Sequence, residues 1–188
     1  MRRTRRRAVP FLSLIAMFLG AGCAGPSPAI APVLRQPSFL ARDGVVRYRI
    51  PAGWFDATAD SQAIPGVAFL VRGDYAGSIS IKELHVDAAA RRDLVRTGLL
   101  QFARLAAALE TGSARGVITR DPESIPVKGR EGATYDVKFE SGDRVRIVLV
   151  DTGERVYAVS ALVNGNEAER RTAEIFAVQH AFVEALSW

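Results

Sequence analysis

The side chains best suited to chemistry in this 188-residue chain are two histidines, one cysteine and the carboxylates beside them. His85 lies in "KELHVD", where Glu83 and Asp87 alternate with it and would share one face of a regular strand, a potential set of metal ligands. The hydrophobic alternation slips between Ile81 and Leu84, however, which predicts a bulge and breaks that common face. His180 and Glu184 are one helical turn apart, and a pair falls short of the three or four ligands a metal site needs. Ser113, in "GSARG", stands second rather than third in its run, with no strand-turn-helix context around it, so it is not a nucleophile elbow. Asp74 and Glu83 are carboxylates that nothing pairs, and no phosphate-loop or dinucleotide fingerprint occurs. The sequence therefore predicts no catalytic residue, no metal and no cofactor, and points away from an enzyme. A hydrolase would need titratable groups gathered around His85.

Cys23 has a different context. It ends "MRRTRRRAVPFLSLIAMFLGAGC", a basic start, a short uncharged run from Val9 to Leu19 and a small-residue zone, the layout of an export signal over residues 1–22. The apolar run is too short to span a bilayer, which takes roughly 20 residues. "LGAGC" resembles a bacterial lipobox, with small residues at Gly20, Ala21 and Gly22. It departs from that pattern in having Gly20 where an aliphatic residue is usual. The resemblance implies acylation of Cys23, and two or three acyl chains give stable membrane residence. Ala24 after the cysteine favours the outer membrane, periplasmic face. Ordinary cleavage near Ala24, releasing a soluble protein, is the other reading.

Removing the signal changes the charge. Of the 25 basic residues five precede Cys23 and no acid does, leaving 20 against 20 in the mature part. Nucleic acid is thus not an expected partner, because its recognition needs a basic patch on the folded domain. A single cysteine also rules out an internal disulfide.

The segment from Cys23 to Gly44 carries four prolines, Pro26, Pro28, Pro32 and Pro37, and reads as a linker with polyproline bias. Fully extended, most of it would span about 60 Å at ~3.1 Å per residue. A single domain is expected over 45–188. "VVRYRI" alternates with Val46, Tyr48 and Ile50 on one face; "VAFLVR" and "SISIKELHV" follow as strands around the turn "GDYAG". From Ala88 to Glu110 a helical period places Leu94, Val95, Gly98, Leu99, Phe102, Leu105, Ala106 and Leu109 on one side, and Gly112 is expected to end the helix. Four strands follow, near 116–126, 133–140, 144–150 and 155–163, with connectors too short for parallel crossovers. "VYAVSALV" is apolar at nearly every position, as in a strand covered on both faces. A last helix has capping-box-like spacing at Asn166 and Glu169 and an apolar side of Ile175, Phe176, Phe182, Val183 and Leu186. The expected class is α+β, an antiparallel sheet of about six or seven strands flanked by helices in an α/β/α sandwich.

"YRIPAGW" is similar to the opening of PsbP-like domains, where a strand ends in a Pro-x-Gly-Trp corner. The order of elements matches, and "VRIVLVDTGERVYAVSALV" resembles that family's late hairpin. The likeness covers about 45–188. Members of the PsbP/Mog superfamily include an extrinsic subunit of the oxygen-evolving complex, a factor that binds the small GTPase Ran, and many exported bacterial proteins. The resemblance implies association with larger assemblies rather than a shared reaction.

The expected function is a lipid-anchored envelope protein that binds or helps assemble another envelope protein, with a periplasmic small-molecule or lipid-binding module as the alternative. Tyr75, at a turn tip with little core to fill, is a candidate contact for the partner. Trp54 either plugs the core at the Pro-x-Gly corner or lines a groove, since tryptophan is enriched at binding hot spots. Trp188 either closes the core or sits outside it.

Overall fold

Short glycine-bearing connectors force strands to return beside one another, and the second half of the chain does so. In the computed structural model, which describes residues 33–35, 37–60 and 66–188, β6 (Gly116–Val127), β7 (Arg130–Phe139), β8 (Arg144–Asp151) and β9 (Val156–Val163) form an antiparallel meander. The β6–β7 hairpin closes on Lys128 and Gly129 at φ +48° and +77°. Two successive left-handed residues are what a two-residue turn needs to match strand twist. β9 then pairs with β5 (Gly77–Leu84), β5 with β4 (Ala68–Arg72) and β4 with β3 (Trp54–Asp56). The result is a seven-stranded antiparallel sheet of order β3-β4-β5-β9-β8-β7-β6.

The expected bulge near Leu84 is absent: β5 pairs with β9 without a break from Gly77–Val163 to Leu84–Val156. The alternation slips for another reason. Ile79 and Ile81 belong to the core on one face of the sheet, whereas Leu84 packs against the core on the other. The register shifts lie instead in β6, between Ile118 and Glu123, where Pro122 has no amide to donate.

The single helix expected over 88–110 is two helices, α1 (Ala88–Thr97) and α2 (Leu99–Ala114). Asp87 caps α1 by accepting from the amides of Ala89 and Ala90 at 2.9 and 2.8 Å. Gly98 breaks the run at φ +83° while its amide still donates to the Leu94 carbonyl. The break redirects α2, so Leu99, Ala103 and Ala107 meet the sheet while Val95, Leu105 and Leu109, expected inward, stand 76%, 60% and 65% exposed. Gly112 does not end the helix; α2 runs to Ala114 and Arg115 takes the left-handed position at φ +48°. α3 (Glu169–Ala185) begins at Glu169 with Ala168 at its N-cap and no side-chain cap, so Asn166 lies outside it.

The helices cover opposite faces of the sheet. α3 packs on β9, with Ile175, Phe176, Phe182 and Val183 against Ile79, Ile81, Val159, Ala161 and Val163. α1 and α2 place Leu94, Leu99, Ala103 and Ala107 over Ala133, Tyr135, Val137, Ile147 and Leu149. β9 is covered on both faces only over its first half: Tyr157, Val159, Ala161 and Val163 face α3, and Val156 and Ala158 pack on the other core, while Ser160 and Leu162 on that second face belong to neither core.

Part of the expected linker is folded. β1 (Phe39–Leu40) pairs with β2 (Arg47–Tyr48), Ala52 donates to the Val33 carbonyl at 2.7 Å, and Arg35 to that of Ile50 at 2.9 Å. These pairings make 33–52 one irregular antiparallel ribbon. It joins the α3 layer through Ala41, Val46 and Tyr48, and Asp43 accepts from the Tyr157 hydroxyl at 2.9 Å. Proline content hid this strand, because Phe39 and Leu40 are both exposed and only Ala41 beside them is buried, so no apolar alternation marks it.

Candidate binding surface

Strand partners directly opposite one another share a face, so the register defines each surface row by row. On the α1–α2 face one row runs Phe55, Val71, Ser78, Leu162, Val145, and the next Phe69, Ser80, Ser160, Ile147. Helix α2 packs chiefly over β6, β7 and β8. Phe69, Val71 and Leu162 are half-buried and belong to neither core cluster, and among the described residues no helix makes its main packing contacts with their strands on this face. The uncovered half of this face is an apolar strip floored by serines.

Tyr75 stands at its rim, 68% exposed, with its ring edge-on to Phe55 at a centroid distance of 6.0 Å. Its backbone is held at φ +59°, an uncommon conformation for a non-glycine residue. The turn fixes it there: the Tyr75 amide donates to the Arg72 carbonyl at 2.9 Å, and Asn164 Nδ2 donates to the Tyr75 carbonyl at 2.6 Å. Asp74 anchors the same turn. Its slight burial works against ionisation, but the Ala76 amide and the guanidinium groups of Arg72 and Arg171 outweigh that and hold its carboxyl below the usual value. Strain at an exposed aromatic is a recurring feature of functional loops. Trp54 takes the other of its two readings: it is 3% exposed in the core and presents no surface. Trp188 closes the core edge, stacking on Tyr157 at 4.9 Å.

The α3 face has its own uncovered half over β6–β8, and it is charged. Its rows are Arg144, Lys138, Val117 and then Arg146, Asp136, Arg120. Arg146 binds Asp136 through two hydrogen bonds of 2.8 Å and lies over the Phe176 ring at 4.2 Å. Arg120 pairs with Glu123, and Arg144 with Glu169 at 2.7 Å. A groove of about 500 Å³ beside it is lined by Arg146, Glu169, Thr172, Phe176 and His180. A second groove, of about 470 Å³, lies at the joint of α1 and α2 between Leu94, Phe102, Leu105 and Arg104. Both are open to solvent.

The residues first considered for chemistry are not brought together. Glu83 is tied to Arg155 at 3.1 Å and Asp87 is spent on the α1 cap, while His85 is exposed just beyond the end of β5 and His180 is exposed on α3. Among the described residues no group of three His, Cys, Asp or Glu could hold a metal ion. Nor is any described helix long and apolar enough to cross a membrane. Cys23 lies outside the described residues. The surface strip itself was not foreseen beyond Tyr75. Its signal was the serines at 78, 80 and 160, since a strand covered on both faces has little use for serine at alternate positions.

No family profile and no curated protein matches this sequence. Solved structures do. The Ran-binding protein Mog1p of Saccharomyces cerevisiae superposes with a TM-score of 0.53 at 14% identity, covering 82% of this chain and 95% of that one. Cyanobacterial PsbP (CyanoP) of Synechocystis gives 0.55 at 12% identity, covering 88% and 98%. The chain has the PsbP/Mog1 fold. At these identities the likeness is one of fold, and it confirms the architecture implied by "YRIPAGW". Within the PsbP/Mog1 frame, the uncovered strip and its Tyr75 rim are described from this chain's own residues.

Proposed function

We propose that this protein is a lipid-anchored component of the bacterial cell envelope, held by acyl chains on Cys23 at the periplasmic face of the outer membrane. Its PsbP/Mog1-like domain acts without catalysis, as a binding or assembly module for another envelope protein. The observation that carries this reading is the uncovered apolar half of the α1–α2 face, Phe55, Phe69, Val71 and Leu162, with Tyr75 pinned at its rim. Apolar surface of this kind marks sites of interaction, and a rigid exposed aromatic supplies an anchor at low entropic cost. Neither described groove is lined by these residues, and a small molecule needs a concave pocket enclosing most of its surface.

Two measurements test the parts separately. Intact mass of the mature protein is expected to show a diacylglyceryl group on an amino-terminal Cys23, and Cys23→Ser to move the protein out of the membrane fraction; an unmodified cysteine refutes the anchor. Crosslinking in intact cells is expected to yield one recurring envelope protein, lost in Tyr75→Ala and Val71→Arg. Capture that survives both substitutions refutes the assigned surface.

A further inference from the structure

The folded ribbon shortens the tether. Only ten residue steps separate Cys23 from Val33, a reach of at most about 36 Å when fully extended, and about 17 Å as a flexible coil. A unit of this size is roughly 40 Å across, from a radius of gyration of about 15 Å. The residues where the tether enters the fold are therefore held close to the surface that carries the anchor.

Those residues have a distinctive outward face. In the ribbon Leu40 lies opposite Arg47, and by alternation Val45 and Arg49 share their side, away from the buried Val46 and Tyr48. Val33, Leu40 and Val45 are 67%, 52% and 37% exposed. Between Val33 and Ile50 there are four arginines, Arg35, Arg42, Arg47 and Arg49, against one acid, Asp43. That acid is committed to the Tyr157 hydroxyl and to the amides of Val45 and Val46. Arg42 is bound to the Thr58 carbonyl. Arg35, Arg47 and Arg49 make no ion pair among the described residues, whereas Arg72, Arg120, Arg144, Arg146 and Arg171 all do. Exposed aliphatic side chains among unpaired arginines, at the end of a short tether, fit the interface of an anionic leaflet: the aliphatics enter the headgroup boundary and the guanidinium groups meet lipid phosphates.

We infer that the outward face of the ribbon around β1 and β2 rests on an anionic lipid surface through Leu40, Val45, Arg47 and Arg49. The ribbon belongs to the α3 layer, so this contact leaves the uncovered strip on the opposite face free for a protein. The tether argument rests on the anchoring proposed above; the footprint itself does not need the acyl chains.

The test uses the mature chain as Cys23→Ser, so that no acyl chain contributes, in flotation with phosphatidylcholine vesicles with and without phosphatidylglycerol. Binding is expected only with phosphatidylglycerol, falling as salt rises. Arg47 and Arg49 each contribute roughly five-fold, so Leu40→Glu with Arg47→Glu should weaken binding more than ten-fold while leaving the thermal midpoint unchanged. Leu105→Glu on α2 should have no effect. Absence of binding, equal binding to uncharged vesicles, or loss through Leu105→Glu alone overturns the inference. An unmodified Cys23 in cells together with ribbon-dependent flotation would refute the anchor and leave the footprint standing; acylated Cys23 with no flotation would do the reverse.

Discussion

The two uncovered halves of the sheet come from the same strands yet differ in kind. In β8, Arg144 and Arg146 face one way and Val145 and Ile147 the other; in β5, isoleucines alternate with serines. Because α3 packs on β9 and α2 on β6–β8, one half on each face stays open. The arginines of the charged half are answered within the chain, Arg146 by Asp136, Arg120 by Glu123 and Arg144 by Glu169, which leaves Lys138 as its exposed cation. The apolar half has no such answer among the described residues: Phe69, Val71 and Leu162 belong to neither core cluster. Openness alone does not mark a site, then. Openness whose chemistry is left unanswered does.

The largest effect that would sharpen this contrast is in the core. Phe182, on the inner side of α3, is fully buried, and Phe182→Ala should cost about 3–5 kcal/mol. Phe69→Ala on the open strip should cost about 1 kcal/mol by denaturant unfolding, in keeping with partial burial. Equal costs would mean that the strip is covered after all.

Next comes alkaline pH. Burial, then the hydrogen bond to Asp43, pushes the Tyr157 hydroxyl from 10.0 up to about 12. Below pH 10 the phenol is protonated in both states, so its contribution is fully present there. Between 10 and about 12 the unfolded chain ionises first, and stability falls as pH rises. Tyr157→Phe should flatten that limb of a stability–pH curve.

Gly98→Ala should cost about 1–2 kcal/mol, because a side chain at φ +83° is strained. Its readout for the comparison is α2: if α1 and α2 straighten, hydrogen exchange over β7 should speed up. Asp136→Asn on the charged half should cost about 1 kcal/mol, with the loss shrinking as salt rises. Smallest of all, Val71→Arg on the strip should change stability by no more than about 0.5 kcal/mol while abolishing partner capture.

Periodicity made the sheet and its antiparallel meander legible, because binary patterning of "YDVKFE" and "VYAVSALV" responds directly to burial, although double cover of β9 holds only over its Val156–Val159 end. It failed where geometry departs from period. Gly98 turns the helix, so Ala103 and Ala107 rather than Leu105 and Leu109 face the sheet, and alanine carries little pattern signal. β1 and β3 are two and three residues long, too short to alternate visibly. Tyr75 was legible as an exposed turn residue. Its neighbours on the strip were not, because Phe55, Phe69, Val71 and Leu162 come from three separate stretches of sequence and meet only through register.

The central claim is that the apolar open half, and not the charged one, meets the partner. A photo-crosslinking amino acid placed at Val71 and, in a second strain, at Lys138 tests it in intact cells. The account predicts one discrete crosslinked envelope protein from position 71 and none from 138. The same adduct from 138, with position 71 silent, would contradict it.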